Sequence, residues 1–220
     1  EGGYRDCYVA SSDEYELVIA DSTAQEPKFA AFICQDEGLI DALNSKEKLY
    51  IRVARDAMGI EITKGEELYS HMKSTILGLF YGMSAKGLAD RIGKTEDEAQ
   101  EMIEAIFRAY PKLGKWIKDS QSKFVPYVTA VMGRKVWLNE YTSAWRRLIL
   151  NAPIQTSAAI AFKLAVVNLV KDWHGSLDVL VSVLRLFVHD EIVSEVKKSE
   201  VDKFLPVLEN AMISASEKLH

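Results

Sequence analysis

Cysteine is nearly absent from this chain. Cys7 and Cys34 are the only two, too few and too far apart for a disulfide framework or a thiolate zinc site. Both therefore read as buried apolar residues in a reducing compartment. No apolar run approaches the roughly 18 residues that a membrane span needs, so no membrane partner is expected. The opening residues Glu1-Gly2-Gly3-Tyr4 lack the charged, apolar and small-residue pattern of a secretory leader. They also lack an initiating Met, which marks the chain as a candidate fragment. There is no internal repeat and no low-complexity linker. A general basic excess is missing too, since the net charge is −5, which argues against a uniformly basic nucleic-acid binder.

What remains is an ordinary globular composition, 48% hydrophobic and 27% charged over 220 residues. That length supports one large domain or two subdomains with real cores. The charge is unevenly placed. From Arg108 to Arg147 nine Lys or Arg face two acids, Asp119 and Glu140, a local excess of +7 that leaves −12 on the remainder. A basic block beside an acidic remainder suits a phosphate backbone on one face and cations on another. A solvated basic helix face explains Lys112 to Lys123 equally well.

The hydrophobic pattern predicts a strand over Leu17–Ala20 that ends at Asp21, and helices over Phe29–Leu43, Leu49–Met58 (stopped by Gly59) and Glu66–Phe80 (ended near Gly82). Thr95 with Glu98 is a capping box opening a helix that runs to about Ala109. Leu113–Phe124 reads as helix and Tyr127–Leu138 as a hairpin. Ser143–Trp173 reads as helical, with Pro153 kinking it or starting a new helix. Val179–Val193 reads as a hairpin, and about Glu200–Lys218 as a closing helix. Strands near both ends with helices between them predict an α+β fold.

Three places carry chemistry. The tip Val188-His189-Asp190-Glu191 sets two carboxylates side by side, which is unfavourable unless a cation joins them. A solvated turn has the same composition. Asp21, ending a buried strand, reads on its own as a turn residue; paired with Asp190 it is a candidate two-carboxylate metal site of the kind that phosphoryl or nucleotidyl transfer needs. Along Glu66–Phe80, residues Tyr69, Lys73, Leu77 and Tyr81 recur every four and fall near one face, fit for a triphosphate with a base stacked above it. A plain amphipathic helix with Lys73 at its rim is the competing reading. Arg147, Asn151 and Gln155 are also spaced by four, and offer donors and acceptors to phosphates, sugars and base edges.

In order and spacing, four motifs resemble family A (polymerase I-like) DNA polymerases. They are Asp21-Ser22-Thr23-Ala24-Gln25-Glu26, Lys73 through Tyr81-Gly82-Met83-Ser84, Asn151-Ala152-Pro153-Ile154-Gln155 and Val188-His189-Asp190-Glu191. Gly87-Leu88-Ala89, Tyr110-Pro111-Lys112 with Trp116, and Thr129 before Gly133-Arg134 agree with it, so the resemblance covers nearly the whole chain. It implies an antiparallel palm sheet with a large helical fingers insertion, a polymerase right-hand fold lacking thumb and exonuclease. The implied division is 1–45 palm, 46–125 fingers and 126–220 palm again. It further implies that Asp21 and Asp190 hold two Mg²⁺ ions, with Glu191 the adjacent carboxylate near the primer end. Glu26 becomes the steric gate against a 2′-hydroxyl, Lys73 the triphosphate lysine and Tyr81 the residue at the template position. Tyr69 and Leu77 would line the nucleotide site. Arg147, Asn151 and Gln155 would contact the primer–template, His189 the primer terminus and Arg134 the duplex. The implied partners are primer–template DNA and dNTP, with thumb and exonuclease domains in a longer parent chain. The implied location is the cytoplasm of a bacterium or phage-infected cell, or an organelle.

The chain departs from the family pattern at named positions. Tyr69 stands where an Arg is usual, and His71 lies on a different face. Ile76-Leu77 replaces Asn followed by an aromatic residue, and Lys48-Leu49-Tyr50 replaces Asp-Ile-His. Ser22-Thr23-Ala24, Pro27 and Thr156 depart as well. These changes bear on nucleotide affinity and rate, and they suggest a divergent, phage-encoded member. Two other readings stand beside the polymerase. One is a catalytically weak primer–template binding module; the other is an enzyme like the single-subunit RNA polymerases, against which Glu26 and Glu191 argue.

Overall fold

A computed structural model describes residues 7–139, 142, 144–173 and 183–217. The start Glu1–Tyr4, Glu140, Ser143, Lys218 and the first part of the predicted hairpin arm, 179–182, lie outside them. The chain divides into two compact units: residues up to Thr23 together with those from Ala158 onward, and Ala24–Ser157.

The first unit is built on a three-stranded antiparallel sheet of β1 (Tyr15–Asp21), β4 (Leu184–Val188) and β5 (Glu191–Lys197), in the order β1-β5-β4. The central strand β5 is buried at every position but Lys197. Alternation sends Val18, Ile192 and Val196 to one face, where they meet Leu169 of α8 (Trp145–Trp173) and Phe204, Leu208 and Ala211 of α9 (Val201–Glu217). The register sets Asp21 opposite Glu191 and Glu191 opposite Val188. The turn is therefore His189-Asp190, two residues long, with His189 at φ 56. Glu191, expected at the tip, already belongs to the ladder.

The second unit is helical: α1 (Gln25–Cys34), α2 (Glu37–Asn44), α3 (Leu49–Met58), α4 (Glu67–Phe80), α5 (Ala85–Ile92), α6 (Glu96–Ala109) and α7 (Pro111–Ser122), then a hairpin of β2 (Tyr127–Thr129) and β3 (Lys135–Trp137) and the first turns of α8. The Thr95–Glu98 capping box forms in full, with Thr95 N–H donating to Glu98 Oε2 at 2.8 Å and Glu98 N–H to Thr95 Oγ1 at 3.2 Å. Gly59 ends α3 in the left-handed region at φ 69, as predicted.

Four predictions need correction. The helix expected over Phe29–Leu43 is two helices. Gln35 turns left-handed at φ 53, and Asp36 starts α2 by accepting from Leu39 N–H at 3.0 Å. The same buried carboxylate accepts from Lys112 and Leu113 N–H at 2.8 and 3.1 Å, so one side chain caps α2 and α7 together. Pro153 does not start a new helix, because α8 continues through it. Burial of Leu150 and Ile154 at 0% exposure offsets a cost of about 3 kcal/mol for the lost N–H and ring clash. α8 also holds an 18-residue window of mean hydropathy 1.4, long and apolar enough by length and composition to cross a membrane. Single polar residues break the uninterrupted run without lowering the mean enough, and 44% of that window is buried inside the protein. Finally, Cys34 is buried as expected, with its thiol pushed up to about 11 by burial, whereas Cys7 is exposed.

Candidate active site

In the first unit the sheet register brings Asp21 and Asp190 to one end, Asp21 on the last position of β1 and Asp190 in the β4–β5 turn. The Asp190 carboxyl is held above the usual carboxylate range, first by burial, then by the negative charge of Asp21 and by a hydrogen bond shared with it. A carboxyl whose proton affinity is raised by burial and by a neighbouring carboxylate is a place that a divalent cation would relieve. The donor set is oxygen only. That suits Mg²⁺, which takes one or two carboxylates and fills its shell with water and phosphate. Among the described residues no group of three or more His, Cys, Asp or Glu offers a closed cage. Glu191 is buried at 8% exposure, on the same sheet face as Asp21 by register, and His189 is exposed on the turn.

Glu195, four residues along β5, is the opposite case. It is 4% exposed, accepts from Arg185 Nε at 2.6 Å and from the Ser11 backbone N–H, and its carboxyl is lowered to about 2 by those hydrogen bonds. Nothing in the sequence marked it, because its partners lie across a β-bulge and far along the chain.

In the second unit Tyr69, Lys73, Leu77 and Tyr81 do form the unburied face of α4, while His71, Met72, Thr75, Ile76 and Leu79 are buried. His71 pairs with Glu67 at 3.5 Å. Tyr81 Oη donates to Glu26 Oε1 at 2.8 Å; Gln155 Nε2 donates to the same oxygen and to Tyr81 Oη, the latter at 3.1 Å. Three predicted residues from three separate segments thus close on one another. Burial raises the Tyr81 hydroxyl, and its bond to the Glu26 carboxylate raises it further; Asn151 opposes the rise. Asn151 Nδ2 acts on Tyr81 without reaching hydrogen-bond geometry and is a buried donor with no acceptor. Gly82, at φ 65, lets the chain pass α8, since a Cβ there would lie 3.1 Å from Arg147 Cα. Arg147 is exposed one turn before Asn151, and Arg134 is exposed on the β2–β3 hairpin.

Sequence reading left Tyr50 as no more than a departure from the family pattern. The structure packs it edge-to-face on Tyr69, another departure, with centroids 5.6 Å apart at 87°. Burial first, then Tyr69 and Glu26, push the Tyr50 hydroxyl up to about 12. The two substitutions are therefore complementary.

The basic block is partly spent within the chain. Lys112 pairs with Glu37, Lys115 bonds Asp119 at 2.9 Å, and Lys118 sits 5.4 Å over the Phe107 ring. Arg146 lies 4.7 Å over Trp145.

An antiparallel sheet bearing a carboxyl pair at one end, with a helical insertion between its strands, defines the polymerase class of α+β folds. The chain matches DNA polymerase family A over residues 2–220 and belongs to that family. It is 32% identical to DNA polymerase I of Mycobacterium bovis over 218 residues, covering 94% of this chain and 24% of that protein. With DNA polymerase I of Pseudomonas aeruginosa it shares 33% identity over 212 residues, 90% of this chain and 23% of that protein. The fold is similar to that of the POL domain of Pol1 from M. smegmatis in complex with DNA primer-template and dNTP, with TM-score 0.82 and 32% identity over 96% of this chain and 39% of that one. The chain thus spans about a quarter of the length of the curated relatives it matches. Those named here are bacterial, and the expected phage origin finds no support among them.

Proposed function

We propose that this chain is the catalytic core of a template-directed DNA polymerase, extending a primer 3′-hydroxyl with dNTPs by nucleotidyl transfer in replication or repair. The observation that carries the proposal is the Asp21–Asp190 pair at the end of the sheet, where burial and then the Asp21 carboxylate raise Asp190. In this reading the two aspartates hold two Mg²⁺ ions, which when bound activate the attacking hydroxyl and neutralise the charge of the departing pyrophosphate. The residues themselves do the positioning. Lys73, exposed on α4, meets the triphosphate as a point charge and can give a proton to the pyrophosphate. Leu77 and Tyr69 line the same helix face, and Tyr81 marks the template position. Glu26, pinned by Tyr81 and Gln155, is held as a rigid wall that excludes a ribose 2′-hydroxyl, which favours dNTP over rNTP. Arg147, Asn151, Gln155 and Arg134 hold primer–template, His189 the primer terminus, and Glu191 supports the end of the site. We assign residues 1–45 and 126–220 to a palm and 46–125 to fingers, within a longer parent that works in the bacterial cytoplasm.

Asp190→Asn tests the assignment in the intact protein. Primer extension with Mg²⁺ and dNTP should fall by at least about 10³-fold, on the scale of losing a preorganised charge at the reacting centre, while primer–template affinity stays within a few-fold. Extension at the unaltered rate would sink it.

A further inference from the structure

The β2–β3 hairpin carries a surface that the proposed roles leave unused. Its register pairs Tyr127 with Trp137 and Thr129 with Lys135, so these four side chains share one face, while Val128 and Val136 turn the other way and are half-buried. The underside is anchored. Val131 N–H donates to Ser157 Oγ of α8 at 3.2 Å, Ala130 N–H to Arg134 O at 2.8 Å and Leu138 N–H to Pro126 O at 2.9 Å. The upper face is open. Trp137 is 71% exposed, whereas Trp145 is buried and Trp116 and Trp173 are half-buried. Its ring meets Tyr127 edge-on, with centroids 5.2 Å apart at 64°, an arrangement that leaves broad ring surface to solvent. Lys135 Nζ stands 4.3 Å from the Tyr127 centroid. Residues 123–139 hold Lys123, Arg134 and Lys135 and no acid.

A two-stranded platform with an uncovered indole, a second ring beside it and Lys135 on the same face matches the chemistry of unpaired nucleic acid. Bases stack on the aromatic rings whatever their identity, and the cation meets the phosphates between them. A protein partner fits less well, because the face offers no acid and little aliphatic surface. We propose that the Tyr127–Trp137 face is a docking site for the unpaired template strand, with an unpaired base stacked on Trp137 and a phosphate on Lys135. This rests on the polymerase reading above, which supplies the template.

The test measures anisotropy of labelled primer–template bound to the intact protein, with a 5′ template overhang, with a blunt end, or with a displaced-strand flap and no template overhang. Trp137→Ala should weaken overhang binding by about 10-fold and leave blunt duplex and flap unchanged. Trp137→Phe, which keeps an aromatic face, should lose no more than about threefold. Lys135→Gln should reduce the salt slope of overhang binding by about 1. Equal overhang affinity in Trp137→Ala and the parent overturns the proposal. So does a loss shared by blunt duplex or confined to the flap, and so does a phenylalanine variant as weak as alanine. Primer extension is read separately on the unaltered protein and on Asp190→Asn. If extension is present and depends on Asp190 while Trp137→Ala binds overhangs normally, the docking site alone fails.

Discussion

Asp190 and Glu195 sit five residues apart on one hairpin, and the fold treats them in opposite ways. Glu195 is almost wholly buried, yet its carboxyl is pulled down to about 2, because an arginine and a backbone N–H are aimed at it. Asp190 is half-buried, and its carboxyl is pushed up, first by that burial and then by the second carboxylate that the fold puts beside it. Burial pushes both acids up, and the partner decides whether that push is overcome or reinforced. An acid supplied with donors is an anchor. One supplied with its own kind is the cation site proposed above, and the two stand on a single hairpin.

The comparison breaks most sharply at Asp190. In Asp190→Asn, where extension should be lost, the melting temperature at pH 7 should rise rather than fall. The folded-state value is above the ordinary 3.8, so the stabilising form is the protonated one. Its contribution is full below that ordinary value and is lost as pH rises through the raised one, so at pH 7 the parent carries the repulsion and the amide does not. Adding Mg²⁺ should raise the melting temperature of the parent and not of the variant. A variant that melts lower than the parent without Mg²⁺, or one that Mg²⁺ stabilises as much as the parent, would contradict the picture.

Asp36 extends the satisfied side of the comparison into the second unit, where it caps two helices at 2% exposure. Asp36→Ala should cost about 2–3 kcal/mol in denaturant unfolding, two caps at about 1 kcal/mol each plus buried N–H groups left without acceptors. A loss below about 0.5 kcal/mol would mean that water replaces the carboxylate without penalty.

Glu195→Gln sharpens the contrast through acid titration. The folded value of about 2 lies below the ordinary 4.5, so Glu195 contributes stability above pH 4.5 that disappears as pH falls towards 2. Unfolding measured across that window should show a shallower acid limb in the variant. Parallel limbs would refute the anchoring role.

The smallest effect is expected at Glu26, an acid with donors that nonetheless belongs to the proposed site. Tyr81→Phe removes one of its two donors and leaves Gln155 in place. One neutral donor to a charged acceptor is worth about 1.5–3 kcal/mol when fully buried. Tyr81 is 44% exposed, so discrimination of dNTP against rNTP in single-nucleotide insertion should fall by only about 3–10-fold. Unchanged discrimination would detach Tyr81 from the gate.

Much of this was legible because it is local. Thr95 and Glu98 specify their capping box within one helical turn, and Gly59 stops α3 because it alone tolerates the left-handed region without cost. The four-residue spacing of Tyr69, Lys73, Leu77 and Tyr81 predicted a common face, and α4 presents it. The break at Gln35-Asp36 was missed because the apolar periodicity of Phe29–Leu43 continues across it. What starts α2 there is a carboxylate whose other partners are 76 and 77 residues away. Helix α5 went unpredicted for the lack of a long apolar period in its eight residues, although Ser84 caps it at Gly87 N–H. Pro153 misled for the converse reason. Its local cost is real, and tertiary burial overrides it.

By itself the sequence singled out the candidate site residues and their order: the aspartates at strand ends, the lysine face, and the row Arg147, Asn151, Gln155. It also determined the family, because four motifs in order over 170 residues are hard to meet by chance. Only the tertiary structure decided which of them touch. It set Asp21 against Asp190 through a register that joins residues 169 apart, closed Glu26, Tyr81 and Gln155 on one another, paired Tyr50 with Tyr69, and left Trp137 open to solvent. The physical reason is that residue type and helical period act within a turn or two of the chain, whereas proton affinity, hydrogen-bond partnership and exposure are set by whatever the fold brings alongside.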